Sequence, residues 1–305
     1  MSQIEWTYKS VDTEETLDMI LYRPLGYRIA MLSINIGITP TILTIISILS
    51  GVVAGHLFYY HVLYINFWGM LLLVFAEMLD SADGQLARIT NTKSRLGRIL
   101  DGFAGNIMFL SIYIHLCLRM MNEGAGVWIF VIAVVSGLSH SMQCAMADYY
   151  RNAYMYFGLN SDKNELDYSK EVTHDYEMIS WRKFIKKLLM WFYVKYTAQQ
   201  EYFSKQFQIL HYTAREVFKE GIPNRFSEKY RNLNKPMLKY YNMLTSNTRM
   251  IALFTSIILD RVYLYFIFEI LVLNGLLFII RLIQERKNTS MVNEVIAFKE
   301  GIPVC

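Results

Sequence analysis

Apolar blocks at about 41–60, 63–79, 99–118, 126–147 and 249–284 constrain this chain more than any other feature. A run of ~20 apolar residues crosses the hydrocarbon core of a bilayer as a helix, since a helix satisfies its own backbone hydrogen bonds where water is absent. The last block is long enough for two short spans with Asp260 and Arg261 at the turn, the first of them beginning as early as Met237 with polar turns in the headgroup layer. The expected fold class is therefore all-α integral membrane, with about six transmembrane helices. Composition agrees, at 54% hydrophobic and 18% charged residues. The opening MSQIEWTYKSVDTEE has no basic segment leading into an apolar one, so insertion rather than secretion is expected.

The spans divide the chain. Residues 1–38 read as an N-terminal tail and an interfacial amphipathic helix, with charged and apolar residues at helical spacing over 13–36 and a kink at Arg23-Pro24. Residues 39–148 hold helices one to four, opened by Thr39-Pro40 with proline at a favoured helix start. Residues 149–247 form a basic, aromatic-rich cytosolic insertion. Within it, WRKFIKKLLMWFYVKY at 181–196 reads either as a helix packed within the insertion or as one lying on lipid headgroups. Residues 248–285 hold helices five and six, and 286–305 form a cytosolic tail. The hexapeptide FKEGIP occurs at 218–223 and again at 298–303, without a physical account.

Lysine and arginine set the orientation. The loops at 60–63 and 120–126 contain neither, whereas the 84–98 segment carries Arg88, Lys93, Arg95 and Arg98, and the insertion is rich in both. Both termini and the 84–98 segment are thus expected in the cytosol, as in a bacterial inner membrane protein. The net charge of +4 fits a face beside anionic lipid and gives no reason to expect nucleic acid. Cys117, Cys144 and Cys305 have no disulfide or metal spacing, and IPVC is not a prenylation box. His56, His115 and His140 also lack metal-ligand spacing and read as hydrogen-bonded helix residues. Arg151 and Arg281 read as interfacial anchors, while Glu269 and Asn274 are buried polar groups without an assigned role.

The chemistry concentrates in MLDSADGQLARITNTKSRLGRILDGFAGN, residues 78–106. Asp80 and Asp83 share a helix face at the end of the second span, and charged groups at that depth are costly enough to imply a function. Gly84 and Ala87 continue a smooth stripe beside them. Gly97 and Asp101, four apart, share a face of the third span. Three carboxylates brought together this way suit a hard divalent cation, Mg2+ or Mn2+, of the kind that also binds substrate phosphates. The competing reading is a salt-bridge network with Arg88, Arg95 or Arg98.

Asp80, Asp83, Gly84, Ala87, Arg88, Gly97 and Asp101 resemble, in register, the signature D-x2-D-G-x2-A-R-x8-G-x3-D-x3-D of the CDP-alcohol phosphotransferases, matching seven of its eight fixed positions. The opening Thr39 to Thr44 is similar to the family's P-N-x-x-T. The insertion and the tail after Arg286 lie outside the resemblance. It implies a membrane enzyme that passes a phosphoalcohol from a CDP-alcohol donor to an acceptor hydroxyl and releases CMP, with membrane lipids as surroundings and a homodimer among its possible assemblies. By position, Asp80, Asp83 and Asp101 would be metal ligands, in a family that uses two ions. Gly84, Ala87, Arg88, Gly97 and Thr44 would shape the nucleotide site.

The signature's last aspartate, the family's general base and a further ligand, is Gly105 here. Three explanations are open. Catalysis can persist with Asn106 or Glu77 as substitute, Asn106 requiring a helix irregularity because it points ~100° away in a regular helix. Catalysis can be lost, leaving a nucleotide-binding, lipid-binding or scaffold protein. Or Gly102, Ala104 and Gly105 can be small for close helix packing, with the base elsewhere. Retained catalysis is preferred, because seven intact signature positions are hard to explain in a chain that no longer binds the donor.

Overall fold

The computed structural model describes residues 7–161, 164–219 and 221–300. Cys305, Glu220 of the first FKEGIP and the last three residues of the second lie outside them. Among the described residues every regular element is helical: α1 (Arg23–Ile36), α2 (Pro40–Leu57), α3 (Leu63–Ile89), α4 (Arg95–Asn122), α5 (Ile129–Leu159), α6 (Ser169–Met178), α7 (Phe184–Phe203), α8 (Lys205–Val217), α9 (Asn224–Asn234), α10 (Leu238–Asn242), α11 (Ser246–Ile258), α12 (Tyr263–Ile267) and α13 (Leu273–Lys299). Five helical stretches are long and apolar enough to cross a membrane: α2, α3, α4, α5, and the run Tyr263–Lys299 that joins α12 to α13 through one π turn. This is an all-α integral membrane fold. The other expected span corresponds to α11, whose 13 residues rise only about 20 Å against a ~30 Å hydrocarbon core.

The chain forms two compact units. The first comprises residues up to Ser141 together with Ser246–Val272. Its centre is α2, along which both α3 and α4 pack. Small residues make this possible: a Cβ on Gly51 would lie 2.2 Å from Met108 Sδ, and one on Gly55 2.9 Å from the Ile112 backbone nitrogen. Hydroxyls stitch the same contacts, Ser47 donating to the Ala76 carbonyl (2.8 Å) and Ser111 to that of Val52 (2.9 Å). The apolar core runs from Ala54 and Phe58 through Leu73, Phe109 and Leu116 to Leu253 and Tyr265. Phe67, Leu71, Phe75 and Val131 face outward, as lipid-facing positions should.

α1 packs on α3 and is entered through a π turn, Asp18–Tyr22, closed by the bond from the Arg23 N–H to the Asp18 carbonyl. It ends at Gly37, with φ of 74°, where the Ile38 N–H reaches back to the Ser33 carbonyl (2.9 Å). Two ion pairs close the unit, one fully buried and one reaching an exposed acid. Arg249 Nε donates to Glu269 (3.1 and 3.2 Å), both side chains fully buried, which gives Glu269 its role. Arg119, also buried, donates to Asp260 (2.7 Å). His140 meets the Tyr113 hydroxyl and His115 the Ser111 carbonyl, as helix-embedded histidines should.

The second unit comprises residues 142–245 and 273 onward. Here α8 packs on α13, and α6 and α7 on each other. An aromatic core gathers Phe207, His211, Phe226 and Tyr230 around Phe157. Asn274 accepts from Gln143 (2.8 Å), and Gln284 links Tyr241, Asn234 and Asn288. α13 stays helical past Arg286 to Lys299, where a tail was expected.

Candidate metal centre

α3 and α4 deliver the acids. Asp80 and Asp83 lie on α3 and Asp101 on α4, and ligand oxygens from the three lie within 4.8 Å of one another. Asp80 and Asp101 come close enough for a carboxyl to carboxyl hydrogen bond, an arrangement that requires a shared proton or a cation. Asp83 is buried and accepts from the Thr44 hydroxyl on α2, which also faces the Pro40 carbonyl (3.1 Å). Thr44 thus acts on Asp83 directly, fixing its rotamer from a neighbouring helix. The charge of Arg88, one turn after Gly84, reaches Asp83 as well. An oxygen-only, three-carboxylate set of this kind fits a hard divalent ion.

Around this centre, Gly97 lies in the first turn of α4, its N–H donated to the capping Ser94 hydroxyl (3.0 Å). A Cβ on Gly84 would meet only the flexible guanidinium of Arg88, at 3.3 Å. Ala87 is half-buried on the same helix.

Gly105 is the informative position. Among the described residues, nothing beyond the backbone of its own helix lies within 4 Å of where its Cβ would be, and the same holds for Gly102, whereas Ala104 is buried. Close packing therefore accounts for Ala104 and for neither glycine. α4 is unbroken through Asn106, whose amide nitrogen donates to the Gly102 carbonyl one turn back (3.1 Å), so the irregularity that would bring its oxygen onto the aspartate face is absent. Glu77 is the other candidate. It accepts from the Ser246 hydroxyl (3.1 Å) and lies within electrostatic reach of Asp101, Glu15 and Asp18. The last two accept in turn from the Asn247 amide (2.8 Å each). Sequence reading missed Ser246 and Asn247, because helix-start residues of α11 carry no local sign that they face α3 and the N-terminal segment. Gln85 was missed too: it accepts from Thr7 and donates to the Arg23 carbonyl, tying that segment to the signature helix.

A second group, His61, Glu123 and Asp260, also has ligand atoms within 4.8 Å, but its two carboxylates face the buried Arg119 guanidinium, which accounts for them.

The fold and these acids define a polytopic helical membrane protein with three carboxylates, drawn from two consecutive spans, that could hold a metal ion. Residues 37–157 match the family model described as CDP-alcohol phosphatidyltransferase, and the chain carries a domain of that family. Among curated proteins it is similar to one named "Putative cardiolipin synthase" in Mycobacterium bovis and in two strains of Mycobacterium tuberculosis, 35% identical over 71 residues, 23% of this chain and 32% of each relative. The similarity thus spans about a third of those relatives. No solved structure matches the chain.

Proposed function

We propose that this protein transfers a phosphoalcohol group from a CDP-alcohol donor to an acceptor hydroxyl, releasing CMP, in phospholipid synthesis. The observation that carries the proposal is the convergence of Asp80, Asp83 and Asp101 from two helices onto one centre. Those residues would hold Mg2+ or Mn2+, which neutralises charge on the donor's phosphoryl oxygens and favours departure of CMP. The chain supplies the rest. Thr44 holds Asp83 in its ligating rotamer, Gly84 and Ala87 leave room for the nucleotide beside α3, and Arg88 and the Gly97 turn border it. Glu77 is the proposed base, since it alone of the two substitutes can accept a proton, and Ser246 orients it. The open space at Gly105 then receives substrate.

The relatives' name supports a phosphatidyl donor such as CDP-diacylglycerol, while the acceptor stays a class, a polyol, a polyol phosphate or a lipid hydroxyl. On charge distribution the centre and the N-terminal segment face the cytosol of a bacterial inner membrane, and a homodimer is the proposed assembly. The test incubates purified protein in lipid with CDP-diacylglycerol, CDP-ethanolamine or CDP-choline, the acceptors, and Mg2+ or Mn2+, and follows CMP. Release abolished by Asp101→Asn and by Glu77→Gln is expected. Silence of wild type and Gly105→Asp across all donors would favour the scaffold reading.

A further inference from the structure

The WRKFIKKLLMWFYVKY segment plays no part in the chemistry above. In the structure its residues divide by face. Met190, Thr197 and Gln200 are buried, and Gln200 is fastened to the Ala145 carbonyl (2.8 Å). Lys187 is also turned inward, donating to the Ile179 carbonyl (2.7 Å) beneath the Trp181 and Tyr176 rings. These contacts fix the rotation of α7. The opposite face of α7 then carries Phe184, Ile185, Leu188, Trp191 and Phe192, all exposed, Ile185 at 75%, with the exposed Trp181 in the turn just before the helix. Their spacing of three, four and seven residues makes one continuous apolar stripe.

We propose that this stripe seats α7 at the headgroup and acyl boundary of an anionic lipid surface. Charge argues for that occupant. From Trp181 to Gln200 there are five cations, Arg182, Lys183, Lys186, Lys187 and Lys195, and no acid. Arg182, Lys183 and Lys195 are exposed, and Lys195 extends over the Trp191 ring (5.8 Å to its centroid). Anionic headgroups meet such cations favourably while tryptophan, phenylalanine and isoleucine enter the upper acyl region. A second copy of the chain docked symmetrically on this face would set the exposed Arg182, Lys183 and Lys195 of each against the other's. The unit also contains the ends of α5 and α13, two of the apolar helices, so a bilayer surface is within the reach of the chain.

The test uses the full chain in nanodiscs, with Cys117, Cys144 and Cys305 replaced by serine and a nitroxide placed singly at 185, 188, 192 or 183. Oxygen collisions in excess of those with an aqueous nickel chelate are expected at 185, 188 and 192, with the reverse at 183. Discs containing phosphatidylglycerol should deepen the three labels relative to pure phosphatidylcholine, and Arg182→Gln/Lys183→Gln/Lys195→Gln should remove that difference. Labels at 185 and 188 open to the nickel chelate in both bilayers, or immobile and closed to both colliders, would overturn the proposal, the latter by showing a protein cover. Should the serine background not fold, quenching of the native chain by bromolipids gives the same answer: Trp181→Phe/Trp191→Phe must remove a bromine-quenched share of the emission, and loss of an unquenched share overturns the proposal.

Discussion

Substituting Gly105 by aspartate separates the readings of the metal centre. Among the described residues the new Cβ meets nothing within 4 Å beyond its own helix, so packing there carries no steric penalty. Its carboxylate would stand one turn after Asp101, ~5–6 Å away between Cβ atoms. Two carboxylates at the 4.8 Å limit seen among the three present acids repel by about 3 kcal/mol at an effective dielectric of about 20. Without metal the variant should therefore unfold more readily than wild type, and a bound divalent ion should relieve that repulsion. About 3 kcal/mol recovered on binding corresponds to roughly a hundredfold in affinity, and protonation of the acids in the empty site lowers the expectation to between about tenfold and a hundredfold. The assay is a Mn2+ titration in nanodiscs followed by the free-ion EPR signal, paired with thermal unfolding in chelator and in excess Mn2+. At a hundred times its Kd the ion should add about 2.7 kcal/mol to either protein relative to its own metal-free form. If the glycine is a catalytic lesion, CMP release should also rise, a general base being worth about 10²–10⁴ in rate. Affinity unchanged within twofold, with no loss of stability in chelator, would refute the reasoning, because the position could then not share the face of the three aspartates.

Other outcomes follow from single contacts. Thr44→Val removes the hydroxyl that faces Asp83, and should weaken Mn2+ binding and lower stability by about 1–3 kcal/mol in the same titration. Glu269→Gln leaves the fully buried Arg249 without its counter-charge and should cost about 3–5 kcal/mol in thermal unfolding, with much of it recovered in Arg249→Met/Glu269→Leu. Gly55→Ala presses on the Ile112 backbone and should destabilise by about 1–3 kcal/mol. Burial, and secondarily the Arg215 charge, pull the His211 imidazole down to about 4. Its folded value lies below the ordinary one, so its contribution is complete above about pH 6.5 and is lost as pH falls toward 4, at most about 3 kcal/mol. Unfolding midpoints measured across that window should fall less steeply in His211→Phe.

The acids were legible because they are local in sequence. Spacings of three and four residues inside apolar runs report a shared face without knowledge of the fold, and Asp80, Asp83 and Asp101 do meet. What holds them is not local. Thr44 reaches Asp83 from another helix, Ser246 reaches Glu77 across most of the chain, and nothing near either residue signals the partner. Hydropathy falls at Arg286 and so does not signal that α13 continues to Lys299, supported by packing on α8 that includes Gln206 N–H donating to Glu285 (3.1 Å). Glycine shows the limit most clearly. Gly55 is small because the backbone of α4 lies against it, and Gly105 is small beside open space. One letter thus carries opposite meanings, and only the neighbouring helix distinguishes them. Packing requires the first glycine, so substituting it should cost stability alone. Packing by the described residues leaves the second free, and the proposed function gives that space to substrate, so on that proposal a side chain there should register in metal affinity and turnover before it registers in folding.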